Sequence, residues 1–133
     1  MASSSSSLLL PSLIFLLLFF SATGAKSQRC DLSSIRVQQT NTGKKAGYDP
    51  VFEVEVKNLC RCAVSRIFLR SEGFASSTSV DPKLFRREGR GYLVADGKGI
   101  PSSLSVKFRY AWDRAFKMSP ASLQVNCWSS VNQ

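Results

Sequence analysis

Histidine is absent from all 133 residues of the chain. That absence removes Ser-His and Cys-His catalytic pairs and the imidazole ligands common in zinc sites. Acidic residues are scarce: nine Asp and Glu stand against eighteen Lys and Arg, a formal net charge of +9. No Asn-x-Ser/Thr sequon occurs, and no internal repeat, linker or sustained helical period interrupts the chain. Long apolar runs are also lacking. The longest covers Leu8 to Phe20, broken by Pro11 and Ser12; at ~13 residues it falls short of the ~20 needed for a membrane-spanning helix.

That short run has another use. Serines precede it, and the small residues Ser21, Ala22, Gly24 and Ala25 follow. The arrangement predicts a secretory signal peptide over residues 1–25, with cleavage between positions 24 and 27, and hence an extracellular, apoplastic protein without a stable membrane anchor. Residues 28–133 then form one domain of ordinary size. Its four cysteines, Cys30, Cys60, Cys62 and Cys127, are an even set in an exported chain, which predicts two disulfides. A bond between Cys60 and Cys62 would close a strained ring. Each is therefore expected to join Cys30 or Cys127, and either order satisfies this rule. The Cys60-Arg61-Cys62 spacing is too tight for a zinc pair and lacks partners, so no metal is expected.

Apolar residues recur mostly with period two. Phe52, Val54 and Val56 alternate with Glu53, Glu55 and Lys57; Leu104, Val106, Phe108, Tyr110 and Trp112 alternate with Ser105, Lys107, Arg109 and Ala111. Both patterns predict half-buried strands. Further strands are expected at residues 35–39, 64–69, 92–94 and 123–127, separated by turn-rich pieces at 41–49, 81–82 and 96–101, with a short helical turn from Pro82 through Phe85. Six or seven short strands predict an all-β fold: an antiparallel β-sandwich of immunoglobulin-like architecture, stabilised by disulfides.

Catalytic and cofactor motifs fail on chemistry. Glu53 and Glu55 are ~6.5 to 7 Å apart along one strand face, but a glycosidase pair flanks a cleft from opposite sides. Gly91 and Gly97 are separated by one residue too many for a phosphate loop, and Gly99 stands where that loop has Ser or Thr. No enzyme activity and no cofactor are expected.

Positive charge is the strongest remaining clue. It favours acidic partners, and the densest cluster is Lys83, Arg86, Arg87 and Arg90, with Lys98 near through a turn. Nucleic acid is not expected, because no helix-turn-helix, zinc-finger or RNA-binding signature is present. An acidic receptor surface and an acidic wall polysaccharide are the expected alternatives; the second would use Tyr92 or Trp128 as an exposed ring platform.

The run from Asn58 to Arg87, NLCRCAVSRIFLRSEGFASSTSVDPKLFRR, followed by YLVADGKGIPSSLSVKFRYAW and Cys127, resembles the plant tapetum determinant family. The resemblance implies a small secreted, cysteine-rich, non-enzymatic ligand for the ectodomain of a leucine-rich-repeat receptor kinase, acting in anther cell specification and tapetum development. Ser71 and Tyr92 stand where family members carry two further cysteines. One disulfide is thereby lost without stranding a thiol, and the stretch between Gly73 and Tyr92 is expected to be looser. Lys83, Phe85, Arg86, Arg87, Arg90 and Lys98 are the candidate partner contacts. The alternative is an extracellular protein that binds wall polysaccharide and has no receptor.

Overall fold

A computed structural model describes residues 29–127. The expected leader, its cleavage site and Trp128 lie outside them. Seven strands form: β1 (Ile35–Ala46), β2 (Asp49–Asn58), β3 (Ala63–Arg70), β4 (Phe85–Glu88), β5 (Gly91–Val94), β6 (Ser105–Ala111) and β7 (Ser119–Asn126), with 3-10 turns at Leu32–Ser34 and Ala95–Gly97. They make two antiparallel sheets, ordered β1-β2-β6 and β4-β5-β3-β7. Three strands against four is the count of an immunoglobulin-type sandwich. Here β4 follows β3 in the chain yet pairs only with β5, at the outer edge. Among the described residues no helix is long and apolar enough to cross a membrane.

Alternation decides which side of each strand is buried. Phe52, Val54 and Val56 of β2 face Val64, Ile67 and Leu69 of β3, with Phe108 and Tyr110 of β6 and Phe85 of β4 completing the core. Glu53 and Glu55 lie on the opposite side, where Glu53 pairs with Arg109 at 3.1 Å and Glu55 accepts a hydrogen bond from Ser105. They are surface charges held across a β-ladder.

Two departures from simple alternation went unread in the sequence. The expected turn-rich piece at 41–49 is mostly strand. β1 absorbs a register shift between Asn41 and Lys45 around Gly43 (φ +82°), and only Gly47 and Tyr48 form the hairpin turn. In β3, a shift between Ser65 and Phe68 centres on Arg66, whose φ is +50°. The extra residue lets Val64 and Ile67 both face inward, three positions apart. The turn expected from Pro82 forms as a single hydrogen-bonded turn, the Phe85 N–H donating to the Asp81 carbonyl at 3.1 Å, and the chain then enters β4.

The chain passes from one sheet to the other only four residues after β2, at 59–62, and there the fold is fixed. Asn58 continues the inward series of β2 and is fully buried. Its Nδ2 donates to the Cys62 and Ile100 carbonyls, both at 2.9 Å, and its Oδ1 accepts from the Cys60 N–H at 2.8 Å. One side chain thus satisfies two main-chain groups of the crossing and ties it to Ile100, which itself bridges to Val64. Disulfides close the same corner: Cys30–Cys60, with Cα atoms 5.7 Å apart, and Cys62–Cys127, 5.0 Å apart. This settles the pairing order that spacing left open. The two loops, with sequence separations of 30 and 65, abut without overlapping. In the chain-entropy account each removes about 4 kcal/mol of unfolded-state freedom.

Asn58→Leu keeps the volume but removes the side-chain partner of the Cys60 N–H and the Cys62 carbonyl, while the Ile100 carbonyl keeps the Val64 N–H. It is expected to lower unfolding free energy by about 3 kcal/mol, read as a drop in urea midpoint at unchanged slope. A loss below about 0.5 kcal/mol would show that the crossing is held without it.

Candidate functional site at the basic end

Strand direction sorts the loops into two ends. All four cysteines, the crossing and the segment between β5 and β6 lie at one end. At the other gather the Gly47–Tyr48 turn, the start of the connection after β3, the β4–β5 turn and the β6–β7 connection. Arg70, Arg87, Arg90 and Lys117 are exposed at this second end. Among the described residues none of the four makes an ion pair. Tyr48, 99% exposed, projects from the hairpin turn beside Lys44 and Lys45.

Arg70 and Glu72 line three adjoining hollows of about 240, 330 and 440 Å³. The first lies between Ser71, Phe74, Arg87 and Tyr92; the second reaches Lys117 and Ser119; the third runs over Arg90 and Gly91 to Ser122. Together they make one basic depression around the end of β3, with Glu72 as its acidic member. At its inner wall Ser71 is 4% exposed, and its Oγ has no hydrogen-bond partner. A buried unpaired hydroxyl costs roughly 1–3 kcal/mol.

The sequence-predicted cluster divides across the sheet. Phe85 is a core residue, its ring stacked on Phe108 at 4.2 Å and on Tyr92 at 4.9 Å. Arg86 points to the outer face, where it binds Asp96 at 2.6 Å and Glu88 at 3.3 Å. The Arg86 hydrogen bond holds the Asp96 carboxyl below its ordinary range, with Lys98 and Lys83 adding weaker attraction. Lys83, Arg86 and Lys98 therefore gather round Asp96. Arg87, on the same side of β4 as Phe85, goes with Arg90 to the depression. Arg70, Lys117 and Tyr48 were missed by sequence reasoning. They are far apart in the chain and share one end of the sandwich only through strand order, Arg70 and Lys117 lining one hollow. The available signal was that each stands where an alternating run gives way to a turn or connection.

The stretch expected to be loosened by the lost cysteine pair is tied by other means. Phe74 inserts among Phe85, Tyr92, Tyr110 and Phe116, with ring centroids 5.2 to 5.4 Å away. Ser77 donates its N–H to the Ala111 carbonyl at 2.8 Å, and the Ala111 N–H donates to Ser76 at 3.1 Å. The β6–β7 connection carrying Lys117 is tied too. Tyr110 donates its hydroxyl to Gln39 at 2.5 Å and accepts from the Phe116 N–H at 2.9 Å, while Gln39 Nε2 donates to the Phe116 carbonyl at 2.5 Å. Both flanks of the depression thus rest on one aromatic wall. Among the described residues no group of His, Cys, Asp or Glu is placed to hold a metal ion.

The family model described as Tapetum determinant 1, C-terminal, matches residues 31–127. A TPD1 protein homolog 1 from Arabidopsis thaliana is 30% identical over 109 residues, covering 80% of this chain and 60% of that protein. TPD1 protein homolog 1B from rice is 30% identical over 96 residues, covering 71% and 57%; homolog 1A is 33% identical over 79, covering 53% and 35%. The chain therefore spans about a third to three-fifths of the length of these relatives. No solved structure gives a significant match.

The buried tyrosine makes the tie of the β6–β7 connection measurable by pH. Burial pushes the Tyr110 hydroxyl above its ordinary pKa of 10.0, partly offset by the Phe116 N–H. The folded state therefore keeps its proton to higher pH than the unfolded chain. The resulting stability is present in full below pH ~10 and is lost as pH rises through the folded value. Tyr110→Phe is expected to cost about 1–2 kcal/mol at neutral pH and to flatten the alkaline decline, measured by thermal unfolding across that range. An alkaline decline identical in both proteins would assign it to other groups.

Proposed function

Because the chain belongs to the tapetum determinant family, we propose that it is a secreted, non-enzymatic signalling ligand that binds the ectodomain of a leucine-rich-repeat receptor kinase, acting in anther cell specification and tapetum development. The observation that carries this reading is the family match over residues 31–127, almost all of the described chain. The fold supports it physically. Both disulfides brace one end, so the opposite end can offer a preformed surface, which limits the ordering cost of binding. Arg87 and Arg90 of the expected cluster supply forked donors for acidic groups there, joined by Arg70 and Lys117. Tyr48 is an aromatic anchor of the kind that dominates interface energetics. Phe85 acts from within, by holding β4 in place. Arg86, Lys83 and Lys98 belong to the outer face and contribute to the general field. Secretion into the apoplast through the 1–25 leader is part of the same proposal.

A wall-polysaccharide role is less well supported. One ring on which it would rely, Tyr92, is half-buried, stacked on Phe85 and in edge contact with Phe74, so one of its faces is already used in packing.

Titration of the oxidised protein against such an ectodomain, with acidic pectin in parallel, tests the proposal. Saturable receptor binding in physiological salt is expected, weakened at least about tenfold by Arg87→Glu with Arg90→Glu, and less by Arg86→Glu. Saturable pectin binding without receptor binding would overturn it.

A further inference from the structure

Three features of the depression at the end of β3 have no use in holding the fold. Arg70, Arg87 and Arg90 converge on it without an ion pair, whereas Arg86 and Arg109 are both neutralised in place. Ser71 adds an unpaired hydroxyl at the inner wall. Glu72 lines all three hollows together with Arg70, so a single negative charge stands among the cations of the groove.

The arginines call for oxyanions, and guanidinium forks match carboxylates in geometry. Glu72 restricts which polyanion fits. A polymer with a carboxylate on every unit must place one against Glu72, and like charges in close apposition are strongly disfavoured. A peptide whose acidic residues are separated by uncharged ones can leave a neutral residue there and still reach Arg87 and Arg90 in the first hollow and Lys117 in the second. One face of the Tyr92 ring is taken by Phe85, and Phe74 is surrounded by four aromatic rings, which leaves little ring surface for a sugar and again favours peptide.

We propose that this depression recognises an acidic peptide segment with spaced carboxylates, and that Glu72 acts as a filter against continuous polyanions. The proposal rests on the ligand reading only in placing that segment on a receptor; the chemistry of the cleft stands independently.

The test titrates the full oxidised chain with three probes, followed by amide NMR shifts at Ser71, Gly73, Arg87 and Gly91. The probes are the peptide acetyl-Glu-Ser-Ser-Glu-amide, its Gln-for-Glu counterpart and tetragalacturonate. Saturable shifts at these amides are expected with the Glu peptide, and none with the Gln peptide. Arg87→Gln with Arg90→Gln should weaken Glu-peptide binding about tenfold. Glu72→Gln should raise tetragalacturonate affinity about tenfold while changing that of the spaced peptide less than about threefold. Saturation of the same amides by tetragalacturonate at least as tightly as by the peptide, or no response to Glu72→Gln, would overturn the filter. An absence of peptide shifts in the wild-type protein would overturn the site without recourse to any variant. Receptor ectodomain run in parallel separates the two claims. Peptide binding without receptor binding rejects the ligand reading and keeps the site; receptor binding unaffected by Arg87→Gln with Arg90→Gln rejects the site and keeps the ligand reading.

Discussion

The passage from β2 to β3 governs the rest of the molecule. Four residues must carry the chain from one sheet to the other, and in doing so they take main-chain donors and acceptors out of both ladders, those of Cys60 into the interior. Unpaired, such groups would cost more than the short connection gains. Asn58 resolves this with one side chain, bonding Cys60, Cys62 and Ile100. The cysteines on either side of Arg61 then reach outward in opposite chain directions, Cys60 to the start of the domain and Cys62 to its end. Hydrogen bonding sets the path of the crossing, and covalent bonds prevent its ends from separating.

Concentrating the ties at one end leaves the other to be organised by packing. There, Phe74 fills the space among Phe85, Tyr92, Tyr110 and Phe116, and the Gln39–Tyr110–Phe116 hydrogen bonds pin the β6–β7 connection. The loops that carry free cations are therefore supported from beneath. Their like charges repel one another. An acidic partner would relieve that repulsion on binding, so the positive field and the aromatic wall serve the same end.

Much of the fold was legible in the sequence because period-two alternation is a direct consequence of strand geometry. It located six of the seven strands, and the even cysteine count gave the two disulfides without their order. β4 was hidden because only Phe85 in Phe85–Glu88 is apolar; at a sheet edge, burial of one residue suffices. The Arg66 bulge was illegible because an arginine at positive φ leaves no sign in composition. The expected basic cluster divides between two faces, since adjacent residues on a strand face opposite ways. Alternation sends Arg86 to Asp96 on one face and Arg87 to the cleft on the other. Arg70 and Lys117 join Arg87 and Arg90 only through the pairing of β3 with β5 and β7, which no local pattern encodes. Ser71 and Tyr92, noted as missing cysteines, line the same hollow, so their shared departure from the family pattern has a shared location.

The central claim is that one end of this sandwich is a brace and the other a binding surface. Hydrogen exchange of the oxidised protein, alone and bound to a leucine-rich-repeat receptor ectodomain, tests that division most directly. The account predicts new protection confined to residues 44–49, 70–74, 87–92 and 113–118, with the crossing at 58–62 slow to exchange in both states. New protection centred on the crossing, with those four segments unchanged, would contradict it.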